Sequence, residues 1–235
     1  MANQLSTPLV PVTEVWSSGC GVSCDTDPAR TAAKLRVSVT AIDGPRLTVY
    51  VQTSPNEVTW RTVDSVALDA RGVADLVVVE LDRFVRVSWV LDGTSATFEV
   101  SGAARQLYAT RNDLAALSLG HNILANADVQ NLNRALVHGS ELAAGYLGAR
   151  FDLPLLRWGD DLSGHTAAVV AYRFMVHIGY APEGNDEHIR MMYEDAIRWF
   201  ERVAKGEHAP DGIIDSTPER NEGGPVIFTT PMRRW

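Results

Sequence analysis

The side chains that could do chemistry are few and scattered. Cys20 and Cys24 lie in Cys-Gly-Val-Ser-Cys. Two ligands cannot complete a structural zinc site, and no histidine follows at finger spacing. A redox C-x-x-C pair needs two intervening residues, and here there are three. The pair reads as two reduced thiols in a Gly/Ser-rich loop, with a local disulfide open in an oxidising environment. His138 and Glu141 share one helical face and in principle could ligate a metal. A solvent-facing histidine beside an unrelated glutamate explains them more simply. Asp160-Asp161 resembles a metal carboxylate pair, but its place just before a helix favours capping and the helix dipole. His177 falls on an apolar helix and reads as a core histidine.

No G-x-S-x-G, no H-E-x-x-H and no glycine-rich phosphate loop after a strand occurs. No catalytic residue, cofactor site or metal site is assigned, and an enzyme is not expected. The net charge of −8 argues against a grip on nucleic-acid phosphates, which needs clustered Lys and Arg. An acidic wall can nevertheless line a passage to which DNA must not stick. No run approaches the roughly 18 consecutive apolar residues of a membrane span, so no membrane partner is expected. Met1–Pro8 has neither a basic nor an apolar leader region, and no secretion is expected.

The elements that would position any site divide the 235 residues into four stretches. Residues 1–34 show little periodicity and read as an extended N-terminal arm, with a short strand at Leu9–Trp16. Residues 35–105 alternate with the period of strands. Leu35, Val37 and Val39 share one face, Leu47, Val49 and Val51 another, and Val85, Val87, Trp89 and Leu91 a third. Val58-Thr-Trp60 reads as a strand start, Val63–Leu68 as a strand with a bulge, and Leu76–Val79 as a short apolar strand. Asp43-Gly-Pro45 and Asp92-Gly93 are turn signals. Short strands with such frequent turns predict an antiparallel β-sandwich, with Trp60 and Trp89 in its core. Gly102–Arg105 reads as a linker.

From Tyr108 the period becomes helical. Thr110-Arg-Asn-Asp113 has the capping-box form, and a short helix should follow over Asp113–Leu117. A second helix spans about Ala127–Leu147, with Val129, Leu132, Leu136, Gly139, Ala143 and Leu147 on one stripe. Gly139 and Gly145 each cost roughly 1 kcal/mol against alanine in a helix, which points to close helix approach or a bend. Asp161–Ile178 is apolar nearly all round and should be the central helix. A fourth helix ends at Lys205, before Gly206. Residues 207–235 form an extended C-terminal tail, whose Phe228, Met232 and Trp235 make most sense under a partner. The chain is thus α+β and multidomain: a sandwich, a small four-helix domain over 106–206, and a tail.

Three blocks carry a family resemblance. They are Tyr108-Ala-Thr-Arg-Asn-Asp-Leu114, Gly145-Tyr-Leu-Gly-Ala-Arg-Phe-Asp-Leu-Pro-Leu155 and Tyr193-Glu-Asp-Ala-Ile-Arg-Trp-Phe-Glu-Arg-Val-Ala-Lys-Gly206. In order and spacing, residues 108–206 resemble the Mu-like prophage family of small helical head–tail adaptor (head-completion) proteins. The resemblance implies a non-enzymatic virion protein in the neck, assembled in the host cytoplasm. Its copies would form a ring, typically a dodecamer, below the portal protein. The ring would extend the DNA channel without sequence-specific contact and dock a tail-completion or stopper protein. The tail would then be a portal-binding arm, with Ile227, Phe228, Met232 and Trp235 as apolar anchors and Arg233 and Arg234 as charge partners. Arg150 would be a structural or inter-subunit partner for a carboxylate. A second reading makes the sandwich a glycan- or surface-binding module oligomerised by the helices, with Tyr50 as its outward aromatic.

Overall fold

The computed structural model describes residues 9–26, 30–117, 124, 126–179 and 185–215. Nine strands precede four helices among these residues. The strands are β1 (Val10–Val15), β2 (Gly19–Cys20), β3 (Cys24–Asp25), β4 (Ala32–Asp43), β5 (Arg46–Ser54), β6 (Arg61–Leu68), β7 (Gly72–Val79), β8 (Phe84–Asp92) and β9 (Ser95–Arg105). The helices are α1 (Arg111–Ala116), α2 (Val129–Leu147), α3 (Asp160–Ile178) and α4 (Asn185–Ala204).

Two antiparallel sheets pack face to face. One has the order β1-β9-β4-β7; the other runs β2-β8-β5-β6, with β3 also on β8. The inward parity is the one read from alternation: Val37, Val49, Val51, Val87 and Phe98 are fully buried. The irregular spacing in β6 is a real bulge. Val51 pairs with Asp64 and Gln52 with Thr62, so Val63 is the extra residue. At one end the turns Asp43-Gly44 and Asp92-Gly93 touch. A Cβ on Gly44 would stand 2.3 Å from the Gly93 Cα, and both glycines have positive φ.

Four expectations for this half are corrected. The strand read at Leu9–Trp16 is β1, on β9, but the rest of the arm is not simply extended: β2 and β3 pair with β8. Two-residue strands carry no periodic signal; a neighbouring strand edge creates them. The Gly102–Arg105 linker is the end of β9, where Gly102 pairs with Leu35 and Arg105 with Ala32. A Cβ at Gly102 would meet the Lys34 carbonyl oxygen at 2.5 Å, so this glycine permits close pairing, not freedom. Val58 and Thr59 are not strand. Their amides both donate to Asn56 Oδ1 at 3.0 Å, an Asx turn that competes with sheet pairing. Trp60 is therefore outside the core, half-buried, with the Arg86 guanidinium 4.1 Å from its ring centroid. Trp89 does pack on the core, edge-on to Phe98 at 5.4 Å.

The helices follow their caps. Thr110 and Asp113 form the capping box of α1, and Asp128 Oδ1 accepts from Gln130 N at 3.1 Å to open α2. The α3 helix is central, with Ala167–Ala171 all buried. The stripe of α4 closes over Ala196, Phe200 and Val203, all fully buried. Glu194 pairs with both Arg190 and Arg198 on the outer face, and Gly206 takes positive φ just past the helix. His177 is exposed, contrary to its reading as a core residue, because the last turn of α3 runs beyond the bundle. The tail is corrected in part as well: residues 207–215 lie on the bundle, and 216–235 fall outside the described residues.

The two α2 glycines separate cleanly. A Cβ on Gly139 would meet Val170 Cγ2 at 2.4 Å, whereas at Gly145 nothing lies within 4 Å. Gly139→Ala is expected to cost about 1–3 kcal/mol by overpacking, offset by about 1 kcal/mol of helix propensity. Gly145→Ala gains about 0.5–1 kcal/mol in the same subunit. Urea unfolding should move the two midpoints in opposite directions; a rise for both would show that Val170 yields freely.

Candidate functional site

The chain's three most distinctive blocks meet around the end of α2. Leu147 is fully buried, and its carbonyl accepts from both Arg150 N and Phe151 N at 2.9 Å, closing the helix. The chain then turns through a cis Leu153–Pro154 bond to Leu155, also fully buried. Gln106 grips the Leu155 backbone from both sides. Its Oε1 accepts from Leu155 N at 2.9 Å and its Nε2 donates to the Leu155 carbonyl. Buried peptide groups need such partners, and Gln106 lies 49 residues away. Tyr108 stands beside it, with its amide donating to Ser140 Oγ at 3.1 Å and its ring edge-on to Trp158 at 5.3 Å. Burial pushes its phenol well above the usual range. From α4, Phe200 stacks on Tyr146 at 5.8 Å.

The residues after α4 then return over this turn. Arg150 Nη1 donates to the His208 carbonyl at 3.0 Å, and its guanidinium lies 5.5 Å from the Phe151 ring centroid. Among the described residues of its own chain it thus holds a carbonyl and a ring, a structural role. Asp160 and Asp161 lie in the first turn of α3, where the helix dipole favours them, with Gly159 as the N-cap; Asp161 Oδ2 also accepts from Asp211 N at 2.9 Å. Ile214 forms a β-bridge with Arg157, and its carbonyl accepts from Leu156 N at 2.7 Å. Residues 207–215 are therefore a strap across the signature turn.

A second junction joins the bundle to the sandwich. Ala32, Val77 and Val137 form one apolar cluster. This explains why Leu76–Val78 are buried without alternation: α2 covers the outer face of β7. Asn133 Nδ2 donates to the Val77 carbonyl at 3.3 Å, and Gln130 bonds Asp64. Glu141 takes Lys34 on one carboxylate oxygen and Arg105 on the other, the latter at 2.8 Å. Glu141 is thus the sandwich's partner, and His138 is, as read from the sequence, beside a glutamate engaged elsewhere. Burial raises the Glu141 carboxyl, but hydrogen bonds from Lys34 and Arg105 outweigh this and hold it below its ordinary value. A depressed folded-state value means stability that is present above the ordinary carboxylate value and lost as pH falls from there through the depressed one. Urea midpoints are expected to drop as pH is lowered from about 6 to about 3, and E141Q should flatten that slope. An unchanged slope would assign it to other carboxylates.

Among the described residues no group of three or more His, Cys, Asp or Glu is placed to hold a metal, and Cys20 and Cys24 are free thiols. Burial, and then the Asp25 charge, push the Cys24 thiol up, which favours the unreactive protonated form. Tyr50 lies half-buried on the outward face of β5. Ile227, Phe228, Met232, Arg233, Arg234 and Trp235 lie outside the described residues. Gln106, Ser140 and Asn133 carry much of this geometry, and no local pattern marked them.

The family model described as "Bacteriophage Mu, Gp36" matches residues 105–227, more than half of the chain. The chain belongs to the bacteriophage Mu Gp36 family. It is a Mu-like phage structural protein and, as such, virion-associated. The Gp36 match begins at the last residue of β9, so the sandwich lies outside it. No curated protein matches the chain. Among solved structures, PBSX exported protein XepA is similar at 15% identity and TM-score 0.32, over 45% of this chain and 37% of that one. PirA is similar at 17% identity and TM-score 0.33, over 43% of this chain and 96% of that one. The infectious bursal disease virus VP2 subviral particle is similar at 11% identity and TM-score 0.29, over 44% and 31%. Likenesses this weak define neither a partner nor an activity for the Gp36-family chain.

Proposed function

We propose that this protein is the head–tail connector adaptor of a tailed phage, a non-enzymatic component of the neck. In this reading its copies form a ring below the portal protein, extend the DNA channel and dock a tail-completion protein. One observation carries the proposal: the three blocks that resemble the adaptor family converge on a single core. Tyr108, Leu147, Leu155, Phe200 and Val203 belong to one buried cluster, locked by Gln106, Arg150 and the strap. A family signature that builds one rigid unit suits a subunit whose task is to hold a position in a ring.

Two further features fit. Val176, Ile178 and Met191 are each about half exposed where α3 ends and α4 begins, an apolar edge suited to a neighbouring copy in a closed heterologous ring. The net charge of −8 suits a conduit through which DNA slides without sequence-specific binding. The glycan-binding alternative gains no support from Trp60, because the Arg86 guanidinium already covers its ring.

Electron microscopy of the purified protein mixed with its portal protein tests the reading. Rings stacked on the portal, and co-migration in size-exclusion chromatography, are expected. Absence of both would defeat the connector assignment.

A further inference from the structure

A groove of about 680 Å³ runs between the sandwich and the bundle. Val63 and Val79 line it from the strands, Leu107 and Leu132 from the helical half, and Leu156 and Trp158 from the segment after the signature turn. It is not closed. Leu156 is 63% exposed, and Val129 at its rim is 56% exposed. Its strand walls are sheet edges: β6 is outermost in one sheet and β7 in the other. Asn133 covers the β7 carbonyl at Val77, but Arg61–Val63 of β6 have no strand neighbour on their outer side among the described residues. Exposed apolar side chains beside a free strand edge form a template for an added strand.

The described chain ends at this groove. Ile214 is hydrogen-bonded to Leu156 and Arg157, and the Leu156 side chain lies in the groove itself. Residues 216–235 continue from that point, with the apolar triplet Val226-Ile227-Phe228 among them. The stretch from Asp215 to Val226 spans up to roughly 35 Å when extended, enough to cross the groove. The Gp36 match runs on through Ile227, past the last described residue. Glu219 and Glu222 precede the triplet, and Arg61 and Arg111 line the groove.

We propose that, in the unassembled subunit, the groove is the seat of the chain's own C-terminal segment, with Val226–Phe228 added as a short strand along the β6 edge. The apolar side chains cover Leu156 and Val129, and the added backbone satisfies the edge groups of Arg61–Val63. This concerns the free subunit and stands whether or not the portal reading holds. Portal binding by the arm would have to draw the same segment out.

Site-directed cross-linking of the full-length chain tests this. With Cys20 and Cys24 replaced by serine, Leu156→Cys is combined with Phe228→Cys. The control combines Val12→Cys, on β1 at the opposite edge of its sheet from β7, with Phe228→Cys. Mild oxidation of dilute protein is expected to close an intramolecular disulfide about tenfold faster in the first pair, because seating raises the effective concentration. Equal rates would overturn the proposal. Disulfide-linked dimers as the main product would overturn it too, by placing the segment on a second copy. Hydrogen exchange gives an independent readout. The amides of residues 61–63 should exchange about tenfold more slowly in the intact chain than in the Ile227→Asp, Phe228→Asp variant. Identical exchange would overturn the seating.

Discussion

Removing residues 216–235 is expected to weaken binding to the portal protein by about a hundredfold or more while leaving the far-UV circular dichroism of the subunit unchanged. The core supports the second half of that expectation. Leu155, Phe200 and Val203 are fully buried in one cluster with Tyr108, Leu147 and Leu162, and Ile214 and Asp215 hydrogen-bond to the segment around the signature turn. The binding loss follows from what the proposed arm contains. Phe228, Met232 and Trp235, flanked by Arg233 and Arg234, are of the residue types that dominate interface energetics, where single anchors often carry about 2 kcal/mol or more. Losing two such anchors amounts to roughly three orders of magnitude in affinity, reduced by the ordering cost of the segment. Surface-immobilised portal protein titrated with intact and truncated chain gives the ratio. Equal affinities would remove the arm from the proposed function without touching the ring.

The second large effect is on the fold. Phe200→Ala is expected to destabilise the subunit by about 3–5 kcal/mol. Phe200 is fully buried, stacks on Tyr146 at 5.8 Å and meets Trp199 edge-on at 5.1 Å. Its removal opens a cavity where α4 meets the end of α2, and the neighbours there are held in place. Leu147 closes α2 through two hydrogen bonds, and Leu155 is gripped by Gln106. A site that cannot collapse retains most of the cavity cost. Chemical denaturation with Phe200→Leu as the milder comparison measures it. A loss below about 1 kcal/mol would mean that the turn repacks, contrary to the interlocked geometry.

The Gln106 clamp shows where legibility in the sequence stops. Alternation placed Val37, Val49 and Val87 inward, and the capping box placed α1, because those rules act between residues a few positions apart. A glutamine just after a strand carries no such mark. Its function exists only because the chain brings Leu155 back to it after 49 residues. Arg150 is a similar case. A structural role was legible from the residue, but that the strap brings the His208 carbonyl within its reach was not. The β2 and β3 strands were invisible because two residues have no period, and the supposed linker at Gly102–Arg105 because small residues also allow close strand pairing.

What the sequence determined by itself is therefore the part governed by local geometry: strand parity, helix stripes, caps, and the three blocks that mark the family. Those blocks also carried most of the candidate site, since Tyr108, Gly145–Leu155 and Phe200 are all within them. The tertiary structure alone decided how the pieces lock. It made strands of Gly19–Cys20 and Cys24–Asp25, laid residues 207–215 over the signature turn, and joined Glu141 to Lys34, 107 positions away. Such contacts depend on which surfaces remain to be covered once the local elements have formed. Which polar group then lies within hydrogen-bond reach is a property of the packed shape.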